Sequence, residues 1–175
     1  MTAATIGHSN RTAEEFLALL GEHGITRLVD VRRLPGSRRY PWFDQENLRA
    51  ALEASGVVYR HQGALTGRRR TPAGTPSING GWENASFRAY ADHMQTDEFH
   101  AAADRLAQAA QREPVAVMCS EAVPWRCHRR MIADALLVRG IAVTDVIGPN
   151  SARPHELTPF ARREGTRLWY PPESD

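Results

Sequence analysis

The chain contains no lysine: all 22 of its basic residues are arginine. There is therefore no lysine to form a Schiff base, which excludes lysine-anchored pyridoxal phosphate chemistry. A phosphate-binding loop of the G-x-x-x-x-G-K-[ST] type is excluded with it. The patterns G-x-G-x-x-G, G-x-S-x-G, H-E-x-x-H and C-x-x-C are missing too, so several common classes of enzyme drop out. Only two cysteines are present, too few to staple 175 residues, and no basic-then-apolar leader opens the chain. Both are expected to be reduced thiols in the cytoplasm. No apolar run approaches the length of a membrane span, so no membrane partner is expected.

What is present reads as one α/β domain over residues 1–175, with a C-terminal extension from 148 to 175. Hydrophobic residues make up 42% and charged residues 24%, and the net charge of +2 is only mildly basic. Five short strands are expected at Ala3–Gly7, Arg27–Arg32, Val57–His61, Val115–Cys119 and Ile141–Ile147. Thr12-Ala-Glu-Glu15 is a capping box that opens the first helix. Further helices are expected over 45–55, 85–94, 96–112 and 127–139, with a short one near His155–Arg163. Alternation of strand and helix implies a three-layer fold, with a mostly parallel five-stranded sheet covered by helices on both faces. The longest irregular segment, Gln62–Asn84, carries Arg68-Arg69-Arg70 and is long enough to be either functional or disordered.

Ligands of open parallel sheets bind beyond the carboxyl ends of the strands. Here those ends read Gly7-His8-Ser9-Asn10, Asp30-Val-Arg32-Arg33, Arg60-His61 and Cys119-Ser-Glu121, with Asp145 near the end of the last strand, whereas the amino ends are bland. The richest exit is Cys119-Ser-Glu121-Ala-Val-Pro-Trp-Arg126-Cys127-His128-Arg129-Arg130, which holds both cysteines. Candidate catalytic residues are Cys119, Glu121, Cys127, His128, Asp30 and His8, because thiols, imidazoles and carboxylates carry nucleophilic and acid–base chemistry. Candidate anion-binding residues are Ser9, Arg32, Arg38, Arg126, Arg129 and Arg130, because the guanidinium fork suits bidentate contact with phosphate. Trp42 and Trp82 lie among arginines in a pattern that suits base stacking, or equally the closing of a core.

Three readings of the thiols stand side by side. One thiol is a nucleophile or the pair is redox-active, with the low-pKa position expected at Cys127 near a helix start. Alternatively, Cys119, Cys127 and His128, with Glu121 or His8, hold a metal, although the C-x7-C-H spacing matches no standard zinc site. In the third reading both are small buried hydrophobes.

The ordered set Thr5-Ile-Gly-His-Ser-Asn10, Val29-Asp30-Val-Arg32, Pro35-Gly-Ser37-Arg38, Phe87-Arg88-Ala-Tyr90-Ala-Asp-His-Met94, and Met118-Cys119-Ser-Glu121 through Cys127-His128-Arg129-Arg130 resembles the family catalogued as domain of unknown function 488. The resemblance runs from about Thr5 to Ile147 and implies no established reaction. The family more often has Leu-Gly-Gly where this chain has Leu65-Thr66-Gly67, and a histidine near Asp145. Together these readings give an expected enzyme, of undefined reaction and cofactor, acting on a phosphate-bearing ligand such as a nucleotide or nucleic-acid end. The alternatives are an arginine-rich nucleic-acid-binding module without turnover, or a metal-binding Cys/His site.

Overall fold

The apolar runs do form strands, and a computed structural model describes them over residues 2–174. Strands β1 (Thr2–Gly7), β2 (Arg27–Asp30), β3 (Val58–His61), β4 (Val115–Cys119) and β5 (Ala142–Gly148) pair in parallel in the order β3-β2-β4-β1-β5. A sixth strand, β6 (Ser151–Pro154), returns antiparallel along β5. The turn between them places Asn150 at φ 54°, a left-handed conformation that asparagine tolerates better than most residues. The sheet thus has six strands rather than the expected five.

Helices are α1 (Ala13–Glu22), α2 (Gln45–Ala54), α3 (Ala85–His93), α4 (Asp97–Arg112) and α5 (Arg129–Leu137). The capping box at α1 is formed: Glu15 N–H donates to Thr12 Oγ1, and Thr12 N–H donates to Glu15 Oε2, both at 3.1 Å. Helix α5 starts at Arg129, two residues later than expected, because Cys127 is extended at φ −140° and ψ 148°. None of the described helices is long and apolar enough to cross a membrane.

Strand pleating divides the core in two. Ala116 and Met118 of β4 join Ala4, Ile6 and Leu28 beneath Phe16, Leu19 and Leu20 of α1 and Leu48 and Leu52 of α2. Val115, Val117 and Cys119 point the other way and pack under α3, α4 and α5, against Tyr90, Phe99 and Met131. Successive side chains on a strand face opposite sides, so odd and even positions of β4 belong to different cores. This gives the three layers.

The expected helix near His155–Arg163 is absent. Residues past β6 run irregularly into a hairpin of β7 (Arg162–Glu164) and β8 (Arg167–Trp169). Pro159 supplies no amide donor for a helix there. Both His155 and the Thr158 backbone are instead committed to distant carboxylates: the His155 ring bonds to Asp134 and Asp145 at 2.9 Å, and Thr158 N–H donates to Asp134 at 3.1 Å.

Candidate functional site

A cleft of about 400 Å³ opens at the carboxyl edge of the sheet, within the size range usual for small-molecule sites. His8 reaches it from the end of β1, Arg32 and Arg33 from beyond β2, and Cys119, Ser120 and Glu121 from the end of β4. Arg126, Cys127 and His128 close it from the segment before α5. Of the twelve residues expected to act, seven line this cleft: His8, Arg32, Cys119, Glu121, Arg126, Cys127 and His128.

The other five lie elsewhere. Asp30 is fully buried behind Arg32 and holds it, accepting from Nε at 3.0 Å and from Nη2 at 2.8 Å, while Tyr59 O–H donates to the same carboxylate at 2.6 Å. Arg32 Nη1 donates to the Phe43 carbonyl at 2.7 Å, so this guanidinium is fixed in place. His61 braces the same corner through a ring nitrogen 2.7 Å from the Arg32 carbonyl. Ser9 serves through its backbone, donating to the Ser120 carbonyl at 2.9 Å. Arg38 is exposed outside the cleft. Arg130 turns away to stack over Trp82 and to donate to Thr158, and Arg129 lies beneath the cleft floor.

Arg129 is the least ordinary of these. It is fully buried, and its Nη2 donates to the Glu121 carbonyl at 2.8 Å. Its Nε and Nη1 have no hydrogen-bond partner among the described residues. Gly7 makes the room for it: a Cβ there would lie 3.0 Å from Arg129 Nη1 and 1.7 Å from the Glu121 oxygen. Gly7 is the register partner of Cys119 on the adjacent strand, which places the guanidinium beside the thiol.

The two thiols and His128 form one cluster. Both sulfurs and a ring nitrogen of His128 lie within 4.8 Å of one another. Cys127 Sγ is 3.6 Å from His128 Nδ1 and 3.5 Å from the Arg129 N–H that donates to it. Hydrogen bonding from Cys127 brings the Cys119 thiol down to about 7 against the opposing effect of burial, and the Arg129 charge adds to the lowering. Cys127 moves the other way, raised by its bond to Cys119 and by burial. The low-pKa position is therefore Cys119, not Cys127 as expected from the helix start. Cys127 precedes the helix in extended backbone, and both thiols are buried.

Both imidazoles of the cleft are neutral at pH 7. Burial lowers His8 to about 4. Its Nδ1 lies 2.9 Å from the Ser9 carbonyl; a carbonyl can only accept, so Nδ1 carries the proton and Nε2 is left as the acceptor. Burial, with Arg129 nearby, lowers His128 to about 4 as well. Its Nε2 is buried with no hydrogen-bond partner among the described residues. The His8 ring stacks on Phe43 with centroids 4.4 Å apart, and the His128 ring sits 4.9 Å from Tyr90.

Arg33, Phe87 and Tyr90 also line the cleft, although sequence reasoning gave them no role, as does Arg68 of the Arg68-Arg69-Arg70 run, which the sequence left open between solvated charge and phosphate binding. The run Phe87 to Met94 supplied the signal. Tyr90 O–H donates to the Leu65 carbonyl at 2.8 Å, and a His93 ring nitrogen is 2.6 Å from the Ala64 carbonyl. Helix α3 thereby pins the segment that carries Gly67 and Arg68. Gly67 must remain small, because a Cβ there would lie 2.5 Å from His128 Nδ1. Thr66, the departure from Leu-Gly-Gly, is accommodated by donating to the Gly63 carbonyl at 2.9 Å. Trp82 closes the core against Phe160 and Tyr170, and Trp42 donates from Nε1 to the Arg11 carbonyl. Neither tryptophan lines the cleft.

Asp145, where the family more often has a nearby histidine, faces α5 rather than the cleft. It accepts from Thr5 Oγ1 at 2.7 Å and meets His155 from β6's far end. The other nitrogen of His155 bonds to Asp134, which also accepts from Tyr170 O–H at 2.8 Å. His155 is raised to about 9: burial opposes this, but the bonds and charges of the two carboxylates outweigh it. The group ties the C-terminal segment to α5 and β5.

Fold and site define an open, mostly parallel α/β protein with an arginine-rich cleft and a thiol pair at the carboxyl edge of its sheet. The chain belongs to the family described as domain of unknown function DUF488, whose profile matches residues 12–136. No curated protein and no solved structure matches it.

Proposed function

We propose that the cleft binds a phosphate-bearing anion, a nucleotide or a nucleic-acid end, and that the protein is an enzyme acting on it. The observation that carries this is the charge of the lining. Arg32, Arg33, Arg68 and Arg126 line the space; Arg32 is paired with the buried Asp30, which leaves three arginines against the carboxylate of Glu121. Arginine makes forked contacts to phosphate oxygens, and Tyr40 and Phe87 offer ring faces in the same cleft. Arg32, fixed by Asp30 and Phe43, presents a pre-organised part of that surface. His8 and His128 are neutral, and His8 Nε2 is left as an acceptor for a ligand hydroxyl. Cys119 adds a thiol with a lowered pKa. A simple binding surface needs none of these.

The rival reading, a nucleic-acid-binding module without turnover, draws on the exposed Arg38, Arg39 and Arg70 outside the cleft. Calorimetry with mononucleotides and short single-stranded oligonucleotides over a range of salt separates the two. Nucleotide binding is expected to weaken about tenfold or more in Arg33→Ala and in Arg126→Ala, as loss of a charged hydrogen bond of ~1.5–3 kcal/mol requires. Product chromatography on the same mixtures should show turnover. Unchanged nucleotide affinity in both variants would overturn the assignment. Binding only to oligonucleotides, steeply dependent on salt and without product, would favour the module.

A further inference from the structure

We infer that Cys119 and Cys127 are a nucleophilic and a resolving thiol, and that their substrate is an anionic disulfide drawn into the arginine-lined cleft. The inference deepens the reading of the cleft given above and rests on it for the charge of the substrate.

Three observations converge. First, both cysteines line the cleft, and their sulfurs lie within 4.8 Å of each other and of a ring nitrogen of His128. A second thiol this near the first is unnecessary for attack on phosphorus or carbon, but it is what a disulfide exchange needs. Second, Arg129 is fully buried with Nε and Nη1 unpartnered. A buried guanidinium without an acceptor is costly, and the register of Gly7 with Cys119 places it beside the sulfur. A thiolate on Cys119 gives that charge its counter-ion. Third, the Arg129 backbone N–H donates to Cys127 Sγ at 3.5 Å and His128 Nδ1 lies 3.6 Å from it, so the second thiol is held in place near the first, as a resolving thiol must be.

The exchange balances as follows. The Cys119 thiolate attacks one sulfur of the substrate R–S–S–R′; an S–S bond to Cys119 forms, the substrate bond breaks, and R′–S⁻ leaves. The departing R′–S⁻ takes up the proton of Cys127, and the Cys127 thiolate so formed attacks the Cys119 sulfur. The internal Cys119–Cys127 disulfide forms and R–S⁻ departs with the second electron pair. The substrate is reduced by two electrons and the protein pair is oxidised by two. An external dithiol reverses the protein step and closes the cycle.

The test uses the reduced full-length protein with three disulfides: coenzyme A disulfide and oxidised glutathione, both anionic, and cystamine, which is cationic. Intact and peptide mass spectrometry are expected to show loss of two hydrogen atoms and a Cys119–Cys127 crosslink. Reaction with the two anionic disulfides should be about tenfold or more faster than with cystamine, the size of effect that charge steering supplies. Cys127→Ser should stop at a mixed disulfide on Cys119, and Cys119→Ser should form none. Should either variant fail to fold, the crosslink and the charge ranking in the unsubstituted protein decide the matter alone. A crosslink that forms equally with all three overturns the anionic substrate and the reading of the cleft, but not the thiol pair. Absence of the crosslink with every disulfide, or a stoichiometric zinc ion in the purified protein, overturns the thiol pair and leaves the cleft reading standing.

Discussion

At Gly7 an added methyl group would stand 1.7 Å from the Glu121 carbonyl oxygen, and that oxygen is also the acceptor of the Arg129 guanidinium. The carbonyl is backbone and cannot swing aside, and the guanidinium is fully buried. Gly7→Ala is therefore expected to destabilise the protein by about 1–3 kcal/mol, the usual cost of forcing atoms into a packed site. It should also displace the segment after β4 and slow alkylation of Cys119. Gly21→Ala is the control: it lies in α1 with nothing within 4 Å of the new Cβ. There the change should stabilise the helix by roughly 0.5–1 kcal/mol. Urea denaturation of the two variants, with thiol labelling on each, checks both halves. Equal stability of the two would mean that Gly7 is not the spacer the geometry makes it.

Helices α1 and α3 are capped alike but placed differently. Thr12 accepts from Glu15 N–H, and Asn84 accepts from the N–H groups of Ser86 and Phe87. Replacing either by alanine should cost about 1 kcal/mol. Only Asn84→Ala should alter the cleft, because Ser86 and Phe87 line it and Tyr90, one turn on, packs against His128. Thermal melts of both variants together with nucleotide titrations would show this; a cleft equally affected by Thr12→Ala would deny α3 its special place. The same two helices show what the sequence could tell. Thr12-x-x-Glu15 is a local signal, satisfied by atoms three residues apart, and it was legible. So were the parallel strands, whose apolar runs need no partner to be recognised. The role of α3 was not, since Tyr90 and His93 act on carbonyls 25 and 29 residues away. Asp30 misled for the opposite reason: its place at a strand end is that of a catalytic group, while its partners Arg32 and Tyr59 make it a brace. The tail misled because the partners of His155 lie 10 and 21 residues earlier in the chain.

Among the ties that hold the C-terminal segment to the rest of the molecule is one imidazole between two carboxylates, and this tie gives the whole protein a dependence on pH. His155 ordinarily titrates near 6.5 and here at about 9, because Asp134 and Asp145 favour its charged form more than burial opposes it. Its contribution is complete below pH 6.5, declines as the pH rises, and is gone above about 9. Its size is on the order of 2 kcal/mol once screening at a partly solvated ring is allowed for. Asp145 is lowered despite its burial by bonds from His155 and Thr5; its contribution is present above the ordinary carboxylate value and is lost as the pH falls through the lower folded one. Urea midpoints measured from pH 6 to 10 should therefore fall in the native chain and stay flatter in His155→Gln. Parallel curves would remove His155 from this role. A different consequence follows from the pleat of β4, which assigns odd positions to one core and even positions to the other. The sulfur of Cys119 stands among arginines and a second thiol only because 119 shares the parity of 115 and 117. Adding or deleting a single residue within that strand would carry the sulfur through the sheet to the aliphatic layer under α1 and α2. A change of length within β4 is therefore expected to preserve the site only when it comes in pairs of residues.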